Sequence, residues 1–406
     1  MKRVNLVILF ASILVSGISC NDQEEYTIPT YRPIVISKAD LMTSPELIEP
    51  IAINNPGKIY TKGEYVYINE IDSGIHIIDN KTTSNPKLIG FIDLPGTNNL
   101  AIKGNLLYAD SYFDLVVIDI SDINNIHEVS RTEDVFENPF SDDFYFYKTA
   151  TGDSIVTGYD VYKKPVSYQE WLDYNQHDFA LEDAASGDIG TGGSLARFTI
   201  SDNYLYSVSS HDMRIFNISN IEAKSVGDPI DLNWGIETIF PYENLLFLGS
   251  EWGMHIYDKS NPELPKHLST YEHIVSCDPV VVKDDIAYVT LRSGTNCQNI
   301  INQLELVDVS NPAKPKAITE YEMLNPHGLG VIDNCLFITE GEYGIKSFNI
   351  SDPFQIDKNM IAHHKDVHAI DVIPLAEVLM LIGNDGLVQY EYDCEGKFEK
   401  ISQLSL

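Results

Sequence analysis

The chain has 406 residues, of which 60 are acidic and 27 basic, for a formal charge of −33. Apolar residues make up 44% of it, ample for a core, so global disorder is excluded. A surface this acidic repels phosphate backbones, which excludes nucleic acid as a partner. The same charge suits solubility outside the cell and, on a sharper reading, cationic partners or divalent ions.

In chain order, Lys2 and Arg3 precede an apolar run from Val4 to Val15, then small residues and Cys20. The run is too short to span a membrane and has the layout of an export signal. Gly17-Ile18-Ser19-Cys20 resembles a bacterial lipobox, departing from it at Gly17, where leucine is commoner. The resemblance implies a signal peptide over residues 1–19 and a lipid on Cys20; an ordinary secretory signal is the alternative. Residues 20–32, with Asn21-Asp22-Gln23-Glu24-Glu25 at their head, read as a flexible tether. An acidic run behind a lipidated cysteine resembles the surface-export signal of some Gram-negative lipoproteins. The expected address is the outer membrane, exposed at the cell surface and touching the membrane only through the lipid. Periplasm-facing and secreted forms are the alternatives.

From residue 33 onward one phrase recurs, an apolar strand ending in an acid or amide and followed by a polar turn. It is clearest in LVVIDISD after Asp114, HIYDKSNPELPK after Met254 and ELVDVSNPAKPK after Leu304. Asp79, Asp119, Asn217, Asp258, Asp308, Asn349 and Glu391 hold the equivalent position, at steps of 40, 98, 41, 50, 41 and 42 residues. A period near 40 with four short strand-like runs per repeat predicts an all-β, seven-bladed β-propeller. The blades fall at about 57–96, 97–136, 194–234, 235–274, 275–324, 325–367 and 368–406, within one propeller domain over 33–406. The recurrent acids are expected to accept backbone N–H bonds in tight turns, since the spacing and closing glutamate of an EF-type calcium loop are absent. Residues 33–56 contain strand-like runs outside any blade and are expected to complete the last blade and latch the ring.

The repeated phrase resembles the LVIVD repeat of secreted and surface β-propeller proteins. The resemblance covers residues 57–406, although copies such as Arg214-Ile215-Phe216-Asn217 drift. It implies the propeller fold and an extracellular location; it supplies no catalytic residues.

Irregularity collects on one face, that of the loops between blades and between second and third strands, and function concentrates in such loops. The longest irregularity is an inserted loop and hairpin subdomain at 137–193, rich in aromatics, with an added strand at Asp153–Tyr159; it is expected to form a lid over the channel mouth. Aligning the first strands puts Gly57, Asn98, Ala196, Glu237, Asp278, His327 and His368 at one level of that mouth. Two imidazoles and two carboxylates there suit a divalent ion or a polar ligand, although no cofactor is demanded. A solvated polar mouth is the plainer reading. Tyr112, Phe113, Trp234, Trp252 and Tyr343 rim the face, where flat rings beside amides and carboxylates suit a glycan or a surface protein. An exported chain can form disulfides, and Cys277, before the first strand of blade 5, and Cys297, within that blade's long loop Arg292–Gln303, are expected to pair. Cys335, in an apolar strand, is expected to be a buried free thiol, with Cys394 unpartnered. No GxSxG elbow, P-loop or HExxH occurs, so a hydrolase or nucleotide site has no motif behind it. The sequence favours a cell-surface binding protein for a glycan or protein ligand. A lyase or hydrolase with a metal-assisted site at the channel mouth is the alternative.

Overall fold

The computed structural model describes residues 26–136, 154–167, 195–233, 235–272, 279–293 and 301–405. They divide between two compact units, one comprising residues 1–34 and 158–180 and the other 35–157 and 181–406. The strands Tyr26–Ser37 and Ser154–Val166 pair in a two-stranded sheet; most of their residues belong to the smaller unit, in which the Arg32 guanidinium lies 5.5 Å from the centroid of the Tyr162 ring. Two expectations change here. Residues 26–32 are strand rather than tether, and the inserted strand runs on to Val166 with Tyr26–Ser37 as its partner. The rest of the insertion, and with it the expected lid, lies outside the described residues, as do the signal peptide and Cys20.

The larger unit is a seven-bladed β-propeller. Its blades are antiparallel sheets over residues 56–93, 100–132, 198–231, 236–272, 280–322, 329–364 and 371–404. In blade 1 the strands are Pro56–Lys62, Tyr65–Glu70, Gly74–Asp79 and Lys87–Asp93. The first strand of each blade neighbours the first strand of the next all the way round, the last reaching back to the first. These seven strands therefore line the central channel. The second and third strands are buried along nearly their whole length, as in Leu115 to Ile118 and Leu304 to Val307. Each is covered on both faces by adjacent blades, which is why the sequence shows continuous apolar runs instead of alternation. The outer strands, such as Lys316–Glu322, are mostly exposed or half-buried.

The apolar side chains gather at the seams between blades. Tyr67, Ile75, Ile77 and Ile92 of blade 1 pack with Leu100, Leu107, Val116 and Ile118 of blade 2, and comparable clusters fill every other seam. The ring closes in the same way. Ile53, Ile59, Val66, Ile68 and Ile78 pack against Ile373, Met380, Ile382 and Leu387 of blade 7. Across that seam the Asn80 and Gln389 side-chain amides bond each other twice, at 3.0 and 2.7 Å. The expected latch is not formed. Blade 7 supplies all four of its own strands, and Glu46–Ile48 pairs with the outer strand of blade 1 as a fifth strand. The segment still contributes to closure through Ile53, which is buried in the last seam.

The repeated acids build turns. Asp119 Oδ1 accepts the Ser121 backbone N–H at 2.7 Å, and Asp258 and Asp308 accept those of Ser260 and Ser310 at 2.8 and 3.0 Å. Their carboxyls are held below the usual range by the serine hydroxyl and backbone N–H donors. Asn217 and Asn349 make the same bond. The worn last copy shifts it: Glu391 pairs with Lys397 at 2.5 Å, and Asp393 takes the three N–H groups of Glu395, Gly396 and Lys397. Glycine opens several copies for a steric reason. At Gly344 and Gly386, with φ of 92° and 81°, a Cβ would collide with the carbonyl oxygen of the outer strand.

Two cysteines pair that were expected to stay apart. Cys335, at the start of the second strand of blade 6, is bonded to Cys394, in the last turn of blade 7, with Cα atoms 5.6 Å apart. It is therefore no free thiol, and Cys394 is not unpartnered. Both side chains sit in the cluster between blades 6 and 7, so the bridge staples two separate sheets whose backbones otherwise meet only near the channel, where Gly341 pairs with Ala369 and Gly328 donates to Ile370. Cys277 and Cys297 lie outside the described residues.

Candidate functional site at the channel mouth

The loops entering blades 1, 2 and 6 are tied down by carboxylates at the ends of second strands. Glu70, almost wholly buried, accepts the backbone N–H groups of Asn54 and Asn55, the latter at 2.7 Å, and pairs with His76 Nε2 at 2.9 Å. Asp110 accepts those of Asn98 and Asn99, both at 2.7 Å. Glu340 takes the N–H of Leu324 at 2.7 Å and an ion pair from Lys346 at 2.9 Å. Charge-assisted bonds of this kind are among the stronger ones available to a loop. They fix the rim against the rigid strands beneath it.

Of the seven aligned positions, the structure brings two imidazoles together. His327 and His368 line one pocket of about 290 Å³ with Asn54, Asn55, Pro56, Ile370, Gly383 and Asn384. Burial, reinforced by Arg292 and by His368, lowers the pKa of His327 to about 3, so its ring is neutral at pH 7. His327 Nε2 lies 3.2 Å from Asn325 Nδ2, and His368 Nδ1 accepts the Asn384 backbone N–H at 3.2 Å.

The other positions do not join that pocket. Gly57 carries no side chain, and Ala196 contributes its carbonyl oxygen to the Ile239 N–H at 2.7 Å. Asn98 turns to Asp72, donating to its Oδ1 at 2.7 Å. Glu237 falls at a bulge between Ile236 and Thr238, and its carbonyl oxygen receives the Arg197 Nε proton at 3.1 Å. Asp278 lies outside the described residues, as does Trp234. Tyr112 sits in a turn with φ of 55° and packs over Gly96, which makes it part of the wall between blades 1 and 2. Trp252 and Tyr343 are 54% and 42% exposed in loops between second and third strands, so both are open on the mouth face. Gly341, two residues before Tyr343, lies directly against His327 Nε2.

Sequence reasoning missed the ionic layer within the channel. Lys58, only 1% exposed, donates to Asn99 Oδ1 and feels Arg197, Asp110 and Asp371. Desolvation pulls Lys58 well below the usual lysine range and pushes Asp110 up. Desolvation likewise lowers Arg197, countered by Glu237 and Asp110. Lys58 and Arg197 follow the aligned Gly57 and Ala196 by one residue. In a strand a shift of one turns a side chain to the other face, and an alignment one position later would have found both. Asn54 and Asn55 were missed because their segment was expected beside the last blade. Among the described residues no three His, Cys, Asp or Glu side chains gather into a metal-ligating group.

Comparisons with known proteins agree with the architecture. The family model described as LVIVD repeat matches residues 57–93, 96–134 and 277–322, so the chain carries LVIVD repeats in blades 1, 2 and 5. No curated protein matches the chain. Among solved structures, it is similar to the computationally designed Ika8 protein, with a TM-score of 0.52 at 11% identity over 86% of each chain. It is also similar to a chain of the Mitotic Checkpoint Complex, with a TM-score of 0.50 at 9% identity over 98% of each chain. At such identities the likeness is one of fold. The chain is a β-propeller built with LVIVD repeats.

Proposed function

We propose that this propeller is a binding module that seats a carbohydrate at its channel mouth. The observation that carries the reading is the pocket between blades 6, 7 and 1. Its lining is mostly polar, with three asparagines and two histidines beside Pro56, Ile370 and Gly383, a set that matches ring hydroxyls better than a hydrophobic ligand. Tyr343, exposed in the loop that also carries Gly341 against His327, offers a flat ring for sugar stacking. The exposed Trp252 on the same face extends the surface towards blade 4. A protein ligand is the second form of this reading, with Trp252 and Tyr343 as its anchors.

The proposal includes export and anchoring through a lipid on Cys20, with the propeller held outside the membrane. The Cys335–Cys394 bridge supports an oxidising compartment. Among the described residues no helix is long and apolar enough to cross a membrane. The metal-assisted enzyme alternative has no donor set among the described residues.

A glycan array probed with the wild-type protein and with His368→Ala tests the reading. Binding to a defined glycan class, weakened at least about tenfold in the variant, is expected. An array with no hits, or hits that the variant retains unchanged, would remove the pocket from consideration.

A further inference from the structure

The protonation pattern of the pocket narrows the ligand further. A backbone N–H can only donate, so the contact from Asn384 to His368 Nδ1 leaves the ring proton on Nε2. The contact from Asn325 Nδ2 to His327 Nε2 places that ring's proton on Nδ1 in the same way. Neither protonated nitrogen is bonded to another protein group among the described residues. Both histidines line the pocket, as do the amide residues Asn54, Asn55 and Asn384. Of these amides, Asn54 Nδ2 is taken by the Ala52 carbonyl at 2.9 Å.

The lining is also free of carboxylates. That is notable in a chain with 60 acidic residues against 27 basic ones. The acids nearest to it are already engaged. Asp385 Oδ2 accepts the backbone N–H of His368 at 2.6 Å, and Asp371, in the first strand of blade 7, acts on the buried Lys58. On the other side, Arg292 bears on His327. The pocket lining thus presents N–H donors with a guanidinium nearby, and the carboxylates behind it, Glu70, Asp371 and Asp385, are held by backbone N–H groups. The charge of the molecule as a whole opposes an anionic ligand, but at physiological salt that field is screened within about 8 Å. Contacts inside the pocket then decide affinity.

From this geometry we infer that the ligand is an acidic sugar, whose carboxylate or sulfate oxygens accept the His327 Nδ1 and His368 Nε2 protons. The inference rests on the carbohydrate reading above and specifies which carbohydrates are taken. Each ring binds the anion as a hydrogen-bond donor, so no proton is transferred. A neutral sugar would leave these donors facing hydroxyls, whose bonds are weaker than charge-assisted ones.

The test uses the intact protein and an array of uronate oligosaccharides, their methyl esters, sulfated neutral oligosaccharides and the unsulfated parents. The methyl ester keeps the sugar skeleton and removes the charge. The expected result is at least about tenfold tighter binding of one anionic series than of its neutral counterpart. That preference should fall towards unity in His368→Leu and be partly kept in His368→Gln, which retains a donor. Preference for the uronate or for the sulfated series identifies which group supplies the oxygens. Equal binding of acid and ester, with both weakened in His368→Leu, overturns the acidic-sugar inference and leaves the carbohydrate reading standing. No binding to any member removes both.

Discussion

Histidines set the behaviour of the rim at the level of single residues. His327 has a pKa near 3, against an ordinary value of 6.5, chiefly because it is buried. The unfolded chain therefore takes up a proton that the folded chain refuses. The stabilising contribution of neutral His327 is complete above pH 6.5 and is lost as pH falls towards 3, at about 1.4 kcal/mol per pH unit once well below 6.5. His76 and His364, also depressed by burial, act in the same direction. Unfolding free energy by denaturant titration should fall measurably between pH 6.5 and 5, before most carboxylates titrate. The His327→Asn variant should show a shallower slope, because one refused proton is gone. A flat profile in the wild type, or the same slope in both proteins, would contradict the assignment. His327 and His368 were visible in the sequence because they recur at one register position. Their partners were not, because Asn325 and Asn384 reach them through loop geometry that no repeat encodes.

Single elements show where the repeat guides and where it stops. Third strands such as Asp114–Asp119 and Gln303–Asp308, with the acid-and-serine turns behind them, were legible because strand and turn chemistry are local. The fate of residues 33–56 was not. Glu46–Ile48 could pair with the exposed edge of either neighbouring blade, and only tertiary packing chooses blade 1. The disulfide was missed for a similar reason. Cys335 and Cys394 are 59 residues apart in sequence and meet because blades 6 and 7 are adjacent in the ring. On the chain-entropy model, a closed loop of that size stabilises by about 4 kcal/mol. We expect Cys335→Ser to lower the unfolding free energy by about 2–4 kcal/mol, and reductant to lower the melting temperature of the wild type but not of the variant. An unchanged melting temperature in both experiments would mean that the bridge does not form in solution.

The whole molecule divides labour between its two faces. The seven seam clusters hold the ring without any strand crossing between blades, and the plain face carries the recurrent turns whose acids are occupied by backbone donors. The opposite face carries the carboxylate-tied loops, the open aromatics Trp252 and Tyr343, and the pocket of His327 and His368. Sequence periodicity read out the ring and the division between faces, because both follow from the count and order of strands. It could not read the ionic layer of Lys58, Arg197, Asp110 and Asp371. That layer forms only when four different blades converge on one channel. The central claim is that ligand is taken at the mouth. Hydrogen exchange of the protein, with and without the best array ligand, tests it most directly. We expect added protection in residues 52–56, 325–328, 368–371 and 382–385, and none in the turns at 258–262 and 308–312. Protection confined to those turns, with the mouth loops unchanged, would place the ligand on the other face and contradict the account.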